Sequence, residues 1–156
     1  MAFGTGTHET TRLCLMAIEK YFEGGSFLDV GTGTGILAIA AAKLFPAAPI
    51  SACDTDPMAV DIARENATLN ELPGRITYAV GSVDETTPSA DFVCANLTAD
   101  VIIQILPSLL GVTCRRLVLS GILETQLDTV VTRLRECGVA SPVETMIDGE
   151  WAAVVI

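Results

Sequence analysis

The sequence predicts an α/β domain: a mostly parallel sheet with helices on both faces. Three observations predict it. Short apolar runs alternate with helix-forming segments along the chain, which is the pattern of strand–helix–strand units with right-handed crossovers. The first run ends in a glycine-rich turn that opens directly onto a helix. The last two runs follow each other across Asp148-Gly149, a hairpin signal that sets one late strand antiparallel to its neighbours.

Each element has its own reason. Residues 10–22 form an amphipathic helix with Leu13, Met16, Ala17 and Tyr21 on one face. Phe27–Val30 is a short apolar strand closed by Gly31, and Ile36–Leu44 is an Ala- and Leu-rich helix, those two residues being strong helix formers. Residues 50–53 read as the second strand. Asp56 then caps a helix that starts on Pro57 and runs to about Asn70, with Ala59, Ile62, Ala63 and Ala67 inward at spacings of three and four. Pro73-Gly74 turns the chain into a strand over 75–80, and 91–95 is the next strand. Thr98 caps a helix with the stripe Ile102, Ile105, Leu106 and Leu109, inside which Pro107 is expected to kink or shorten it. Residues 116–120 are a strand. Residues 124–136 are a helix with Leu127, Val130, Val131 and Leu134 inward, stopped by Gly138. The strands 143–147 and 151–156 flank the hairpin turn.

Length and composition bound the function. The 156 residues, half of them apolar, suit one domain with a substantial core. No apolar run approaches the roughly 20 residues of a membrane helix, so no membrane partner is expected. Nine Lys and Arg against nineteen Asp and Glu give a net charge of −10. Such a chain repels phosphate backbones and favours a basic partner over nucleic acid. Cys14, Cys53, Cys94, Cys114 and Cys137 include no C-x-x-C pair, and there is one histidine, so no metal site is expected. The odd count among apolar neighbours reads as buried free thiols in a reducing compartment.

The site is expected at the carboxyl ends of the strands, where strand order reverses. The first strand leads into Asp29-Val30-Gly31-Thr32-Gly33-Thr34-Gly35. Alternate glycines allow a tight turn and close approach of a ligand. A dinucleotide fingerprint needs G-x-G-x-x-G, and Gly35 comes one residue too early for it. Asp29, before the turn, opposes a pyrophosphate and suits an ammonium group. Both features favour a cationic, phosphate-free cofactor such as S-adenosylmethionine. Asp54 lies at the tip of the second strand, where a carboxylate accepts hydrogen bonds from ribose hydroxyls.

Several segments then resemble one family in order: Ala2-Phe3-Gly4-Thr5-Gly6-Thr7-His8-Glu9-Thr10-Thr11, the glycine turn with Ile36-Leu37-Ala38-Ile39-Ala40, Asp54-Thr55-Asp56-Pro57, Ala95-Asn96-Leu97, Leu119-Ser120-Gly121-Ile122-Leu123 and Gly149-Glu150-Trp151. Together they are similar to the ribosomal protein L-eleven methyltransferase (PrmA) family over nearly the whole chain. The resemblance implies a Rossmann-like class I methyltransferase fold, with a seven-stranded, mostly parallel sheet and a C-terminal antiparallel strand. It implies S-adenosyl-L-methionine as cofactor and methylation of lysine and N-terminal amino groups of a basic ribosomal protein in the cytoplasm. By position it assigns Thr11, Gly31, Asp54 and Asn96 to the cofactor; Gly33 and Gly35 complete the turn, and Ser82 falls where such folds contact adenine. The family's N-terminal recognition domain is expected to be absent, leaving residues 1–156 as a single catalytic domain. The family's Pro-Gly-Gly turn is replaced by Gly111-Val112-Thr113-Cys114-Arg115.

Methyl transfer to an amine needs alignment more than a strong base. Asn96, ending its strand, is the candidate for orienting the amine, and Asn96-Leu97-Thr98-Ala99 lacks the aromatic that a planar base or amide substrate would stack on. His8 is read as a helix-start contact rather than a general base, and Trp151 as core or sheet-edge packing. Two other readings use the same site: a methyltransferase acting on another protein or a small molecule, and a cofactor-binding domain inactive on its own.

Overall fold

The computed structural model describes residues 8–156. Residues 2–7, part of the first segment that carries the family resemblance, fall outside them. In chain order the elements are α1 (Glu9–Tyr21), β1 (Phe27–Val30), α2 (Ile36–Leu44), β2 (Ile50–Asp54), α3 (Pro57–Leu69), β3 (Ile76–Val80), β4 (Ala90–Asn96), α4 (Ala99–Val112), β5 (Thr113–Leu123), a 3-10 turn (Glu124–Gln126), α5 (Leu127–Glu136), β6 (Glu144–Asp148) and β7 (Trp151–Val155). They form one seven-stranded sheet in the order β3-β2-β1-β4-β5-β7-β6. Strands β1 to β5 pair in parallel, and β7 runs antiparallel to both β5 and β6. The predicted architecture stands.

Right-handed crossovers place α2 and α3 on one face, because the chain steps from β1 outward to β3, and α4 on the other, because it steps from β4 to β5. Two apolar clusters follow from this. One packs α1, α2 and Ala67 of α3 on the sheet; the other packs α4 and α5. β1 lies between them and all four of its residues are buried, Asp29 included. The connection from β3 to β4 carries no helix and reaches the second cluster through Val83.

Several expectations are corrected. In α1 the buried face is Leu13, Cys14, Ala17 and Ile18, while Met16 is 53% exposed. In α3, Val60 takes the inward place, and Ile62 is exposed beside the crevice described below. Cys114 is exposed and Cys137 half-buried; the other three cysteines are buried, and all five are free. α4 hands over to β5 with no intervening loop, so residues 111–115 contain no turn of the Pro-Gly-Gly kind. The predicted helix 124–136 starts as a 3-10 turn and becomes α-helical at Leu127.

Pro107 does not shorten α4, a helix of 14 residues that continues past it to Val112. Proline removes the N–H that would bond the carbonyl four residues earlier. Here that carbonyl, of Ile103, accepts from Arg133 Nε of α5 at 3.2 Å. A neighbouring helix supplies the missing donor.

α5 and α3 end alike. In α5, Gly138 (φ +94°) donates to the Arg135 carbonyl and Val139 to the Leu134 carbonyl. In α3, Glu71 donates to Thr68 and Leu72 to Ala67. Both are Schellman endings, which favour glycine at the left-handed position, yet Glu71 holds φ +63° there. The left-handed form costs a non-glycine about 1–2 kcal/mol, and glycine's extra freedom when unfolded offsets about half of that. Glu71→Gly is therefore expected to stabilise the chain by about 0.5–1 kcal/mol, seen as a higher urea midpoint at unchanged slope. A lower midpoint contradicts it.

Candidate cofactor site

β1 has β2 on one side and β4 on the other, so the carboxyl ends of β1 and β4 part where strand order reverses. A crevice of about 640 Å³ opens there. Its floor is Gly31, Thr32 and Gly33. Asp54 and Asp56 stand on one side, Asn96 and Leu97 on the other, with Ser82, Gly121 and Trp151 further along.

The glycine turn is pinned from several elements. Gly31 N and Thr32 N both donate to the Cys53 carbonyl at 2.9 Å. Gly33 N donates to Asp54 Oδ2 at 2.9 Å, and Asn66 Nδ2 of α3 donates to the Thr34 carbonyl at 2.8 Å. Asp54 Oδ1 also accepts the Asp56 N–H at 3.0 Å, while Asp56 itself caps α3 through the Met58 N–H. Each Asp54 oxygen thus holds one backbone N–H. A carboxylate oxygen has two acceptor sites, so Asp54 retains capacity toward the crevice.

Leu97 is wedged between two glycines. A Cβ on Gly31 would strike Leu97 Cδ2, and one on Gly121 would strike the Leu97 carbonyl oxygen. Gly121 holds φ +89° at an irregularity in the β5–β7 pairing. Beside it, Ser120 is fully buried, and its Oγ donates to the Thr10 carbonyl at 3.0 Å, tying β5 to α1. Leu97 N donates to the Ser120 carbonyl at 3.0 Å. The Ser120-Gly121 pair therefore fixes the end of β4, from which Asn96 faces the crevice.

The predicted site residues separate into two groups. Gly31, Gly33, Asp54, Ser82 and Asn96 line the crevice together. Gly35 and Thr11 do not. Gly35, at φ +86°, lies behind the turn, where a Cβ would come within 2.9 Å of Ala63 Cβ; it lets α2 and α3 pack closely. Thr11 is fully buried in α1, and its Oγ1 has no hydrogen-bond partner among the described residues. Asp29 is also displaced from its expected role. It is fully buried behind the turn and outside the crevice walls. Its Oδ2 accepts from Thr32 Oγ1 at 2.7 Å, and its Oδ1 has no partner among the described residues. Burial, opposed by the Thr32 hydroxyl and the Ala38 N–H and helped by the nearby Asp54 charge, pushes its pKa up to about 7.

His8 is the N-cap of α1: its Nδ1 accepts the Thr10 N–H at 3.2 Å. Its ring packs against that of Trp151 in a T-shaped arrangement, with the centroids 5.4 Å apart. Trp151 is half-buried and forms part of the crevice wall, rather than only packing on the sheet. The register of the hairpin carries this: Trp151 pairs with Leu123 of β5, two residues past Gly121. Met58, Ile62, Val101 and Ile105 add an apolar rim from α3 and α4. Sequence reasoning placed these on core faces or left them unassigned; the signal that would have found them was an excess of apolar residues over what one helix face can bury.

Among the described residues the crevice lining holds two carboxylates and no Lys or Arg. No group of three or more His, Cys, Asp or Glu among them is placed to hold a metal ion, and no helix among them is long and apolar enough to cross a membrane.

The profile of the family described as ribosomal protein L11 methyltransferase (PrmA) matches residues 1–156. A ribosomal protein L11 methyltransferase from Clostridium botulinum (strain Eklund 17B / Type B) is 42% identical over 158 residues, covering 99% of this chain and 50% of the relative. The chain spans about half the length of the curated relatives it matches. The crystal structure of a ribosomal protein L11 methylase from Lactobacillus delbrueckii subsp. bulgaricus is 30% identical with a TM-score of 0.88, covering 96% of this chain and 79% of that one. An RNA methyltransferase from Salinibacter ruber, solved with S-adenosyl-L-homocysteine, has a TM-score of 0.72 at 20% identity over 96% of this chain and 90% of its own, a likeness of fold. By its profile match over the full length, its relatives and its class I methyltransferase fold, the chain belongs to the ribosomal protein L11 methyltransferase (PrmA) family.

Proposed function

We propose that the chain is the S-adenosyl-L-methionine-dependent catalytic domain of a protein N-methyltransferase that modifies lysine and N-terminal amino groups of ribosomal protein L11. The observation that carries the reading is the crevice itself. It sits at the strand-order switch, floored by glycines, with carboxylates and no Lys or Arg among its described lining residues. That donor set disfavours a phosphate and suits a cationic cofactor bearing a ribose.

Asp54 would hold the ribose and Gly31 and Gly33 the amino-acid end, with Ser82 at the adenine side. Bound there, S-adenosyl-L-methionine supplies a methyl group activated by its sulfonium. The chain's own residues then position the acceptor. Asn96 Oδ1 accepts hydrogens from the incoming amine and orients its lone pair. Trp151, in the crevice wall, would pack on the acceptor's alkyl chain and exclude water. Desolvation in that apolar mouth favours the neutral amine, the form that attacks. Alignment of this kind is worth up to about 7–11 kcal/mol, so no strong base is needed. The net charge of −10 draws a basic protein and opposes direct nucleic-acid or membrane-phosphate contact. Free thiols fit the cytoplasm.

The test is transfer of labelled methyl groups from S-adenosyl-L-methionine to purified L11. Asn96→Ala is expected to lower kcat about a hundredfold, the scale of a misplaced acceptor, a larger effect than the loss of cofactor affinity from the contact that the family resemblance also gives Asn96. Cofactor binding without any transfer to L11, where a two-domain relative transfers it, reduces the chain to a binding module. Transfer to small amines but not to L11 moves the reading to another acceptor.

A further inference from the structure

One buried ionisable group lies outside the walls of the crevice. Asp29 is fully buried at the centre of the sheet, directly behind the floor of the crevice. Its two oxygens are treated differently. Oδ2 holds the Thr32 hydroxyl, and Thr32 is part of that floor, while Oδ1 has no partner among the described residues. A buried carboxyl with one orphaned oxygen is better satisfied protonated than charged.

The groups that face it can be named element by element. From β2 come the Cys53 thiol and the Asp54 carboxylate; from β3, the Tyr78 hydroxyl; from β4, the Cys94 thiol, on the residue paired with Asp29 across the sheet, with Cys14 of α1 beyond it. The first turn of α2 brings the Ala38 N–H toward the carboxyl, which favours the charged form but leaves Oδ1 without a hydrogen bond. No Lys, Arg or His among the described residues acts on it. One of these neighbours also stands in the crevice wall. Asp54 lines the crevice, and its charge pushes the Asp29 proton affinity up through the turn. A unit charge on the crevice side is therefore felt at Asp29, and a positive charge there acts with the opposite sign.

We propose that Asp29 is a proton-linked positioning residue of the glycine turn, giving up its proton when a cationic cofactor is bound in the crevice and holding it more firmly when the neutral thioether product is there instead. This rests on the S-adenosyl-L-methionine reading of the crevice. With the free carboxyl titrating at about 7, cofactor affinity is level above neutrality and falls as pH drops below it, by at most about tenfold per pH unit. Product affinity falls less steeply, so acid conditions shift occupancy from substrate to product. The ionised carboxylate also holds the Thr32 hydroxyl more strongly than the neutral acid, which firms the floor once the ligand is in place.

The experiment is calorimetry of the chain with S-adenosyl-L-methionine, and separately with S-adenosylhomocysteine, at pH 6.5 and pH 8.5 in buffers of different ionisation enthalpy. Wild type is expected to release about half a proton more than Asp29→Asn at pH 6.5 with the sulfonium, and no more at pH 8.5. The amide introduced by Asp29→Asn mimics the protonated acid, so folding is retained; far-UV circular dichroism checks this. Thr32→Val, which removes the donor favouring the charged form, moves the release to higher pH. Carboxyl carbon resonances of labelled aspartate give a second readout, with the Asp29 midpoint falling when ligand is added. Equal proton counts for wild type and Asp29→Asn, or an unmoved midpoint in a saturated sample, overturn the coupling while leaving the crevice reading intact. Absence of saturable binding by wild type overturns the crevice reading, and the coupling with it.

Discussion

Asp54→Ala is expected to raise the dissociation constant for S-adenosyl-L-methionine at least a hundredfold. Asp54 is the meeting point of two tasks. Its oxygens already hold Gly33 N at 2.9 Å and Asp56 N at 3.0 Å, which sets the glycine turn against the start of α3. The acceptor sites that remain face the crevice, where ribose hydroxyls would fill them. Hydrogen bonds to a charged partner contribute about 1.5–3 kcal/mol each, and about 1.4 kcal/mol is tenfold in affinity. Two such bonds set the hundredfold floor. Loss of the Gly33 anchor adds to it, because the floor no longer waits in place. Asp54→Asn separates the tasks. It keeps one carbonyl oxygen for a backbone N–H and loses the charge, so its affinity is expected between the other two. Thermal melts without cofactor, set beside calorimetry with it, show how much of the loss is the fold's. Indistinguishable affinities for wild type and Asp54→Ala would remove Asp54 from the ribose.

That site was largely legible in the sequence because its parts are backbone-driven. The glycines mark a turn that must go left-handed, Asp54 sits at a strand tip, and Asp56-Pro57 is a helix start; each is a local signal. What was hidden depended on tertiary direction. Nothing local says whether Asp29, within a strand, points into a crevice or behind it; that follows from β1 being covered on both faces. The inward face of α1 was misphased because residues 13–18 are all apolar or small, leaving the sheet to choose Cys14 and Ile18 over Met16. α3 carries apolar residues on two sides, one packing on the sheet through Val60 and one facing the crevice through Met58 and Ile62. Periodicity alone cannot assign two stripes to two duties. Pro107 needed knowledge of Arg133, 26 residues later in sequence and on another helix. Trp151 reached the crevice only through the register of β7 on β5.

Gly121→Ala is expected to destabilise the chain by about 3–5 kcal/mol, the sum of left-handed strain and overpacking, a fall in Tm of about 10 °C or more for this size. Cofactor binding should be lost with it. The added methyl would meet the Leu97 carbonyl oxygen, its carbon at 2.8 Å and its nitrogen at 3.1 Å, all backbone atoms, at a residue held at φ +89°. Relief requires moving the end of β4, and Asn96 moves with it. Gly31→Ala offers the informative contrast. Its methyl would meet the tip of the Leu97 side chain, at φ +74°; a side-chain tip gives way more easily than backbone, so the cost is expected at about 1–3 kcal/mol, shared between backbone strain and the displaced side chain. The two cases diverge when Leu97→Ala is added. Truncating the side chain removes the obstacle for Gly31→Ala, and the double variant is expected to be more stable than the sum of the single effects predicts. It leaves the backbone obstacle untouched for Gly121→Ala, and there the effects are expected to add. Absence of coupling in the first cycle would mean that the Leu97 side chain does not wedge against β1; coupling in the second would mean that the obstacle at Gly121 is that side chain and not the end of the β4 backbone.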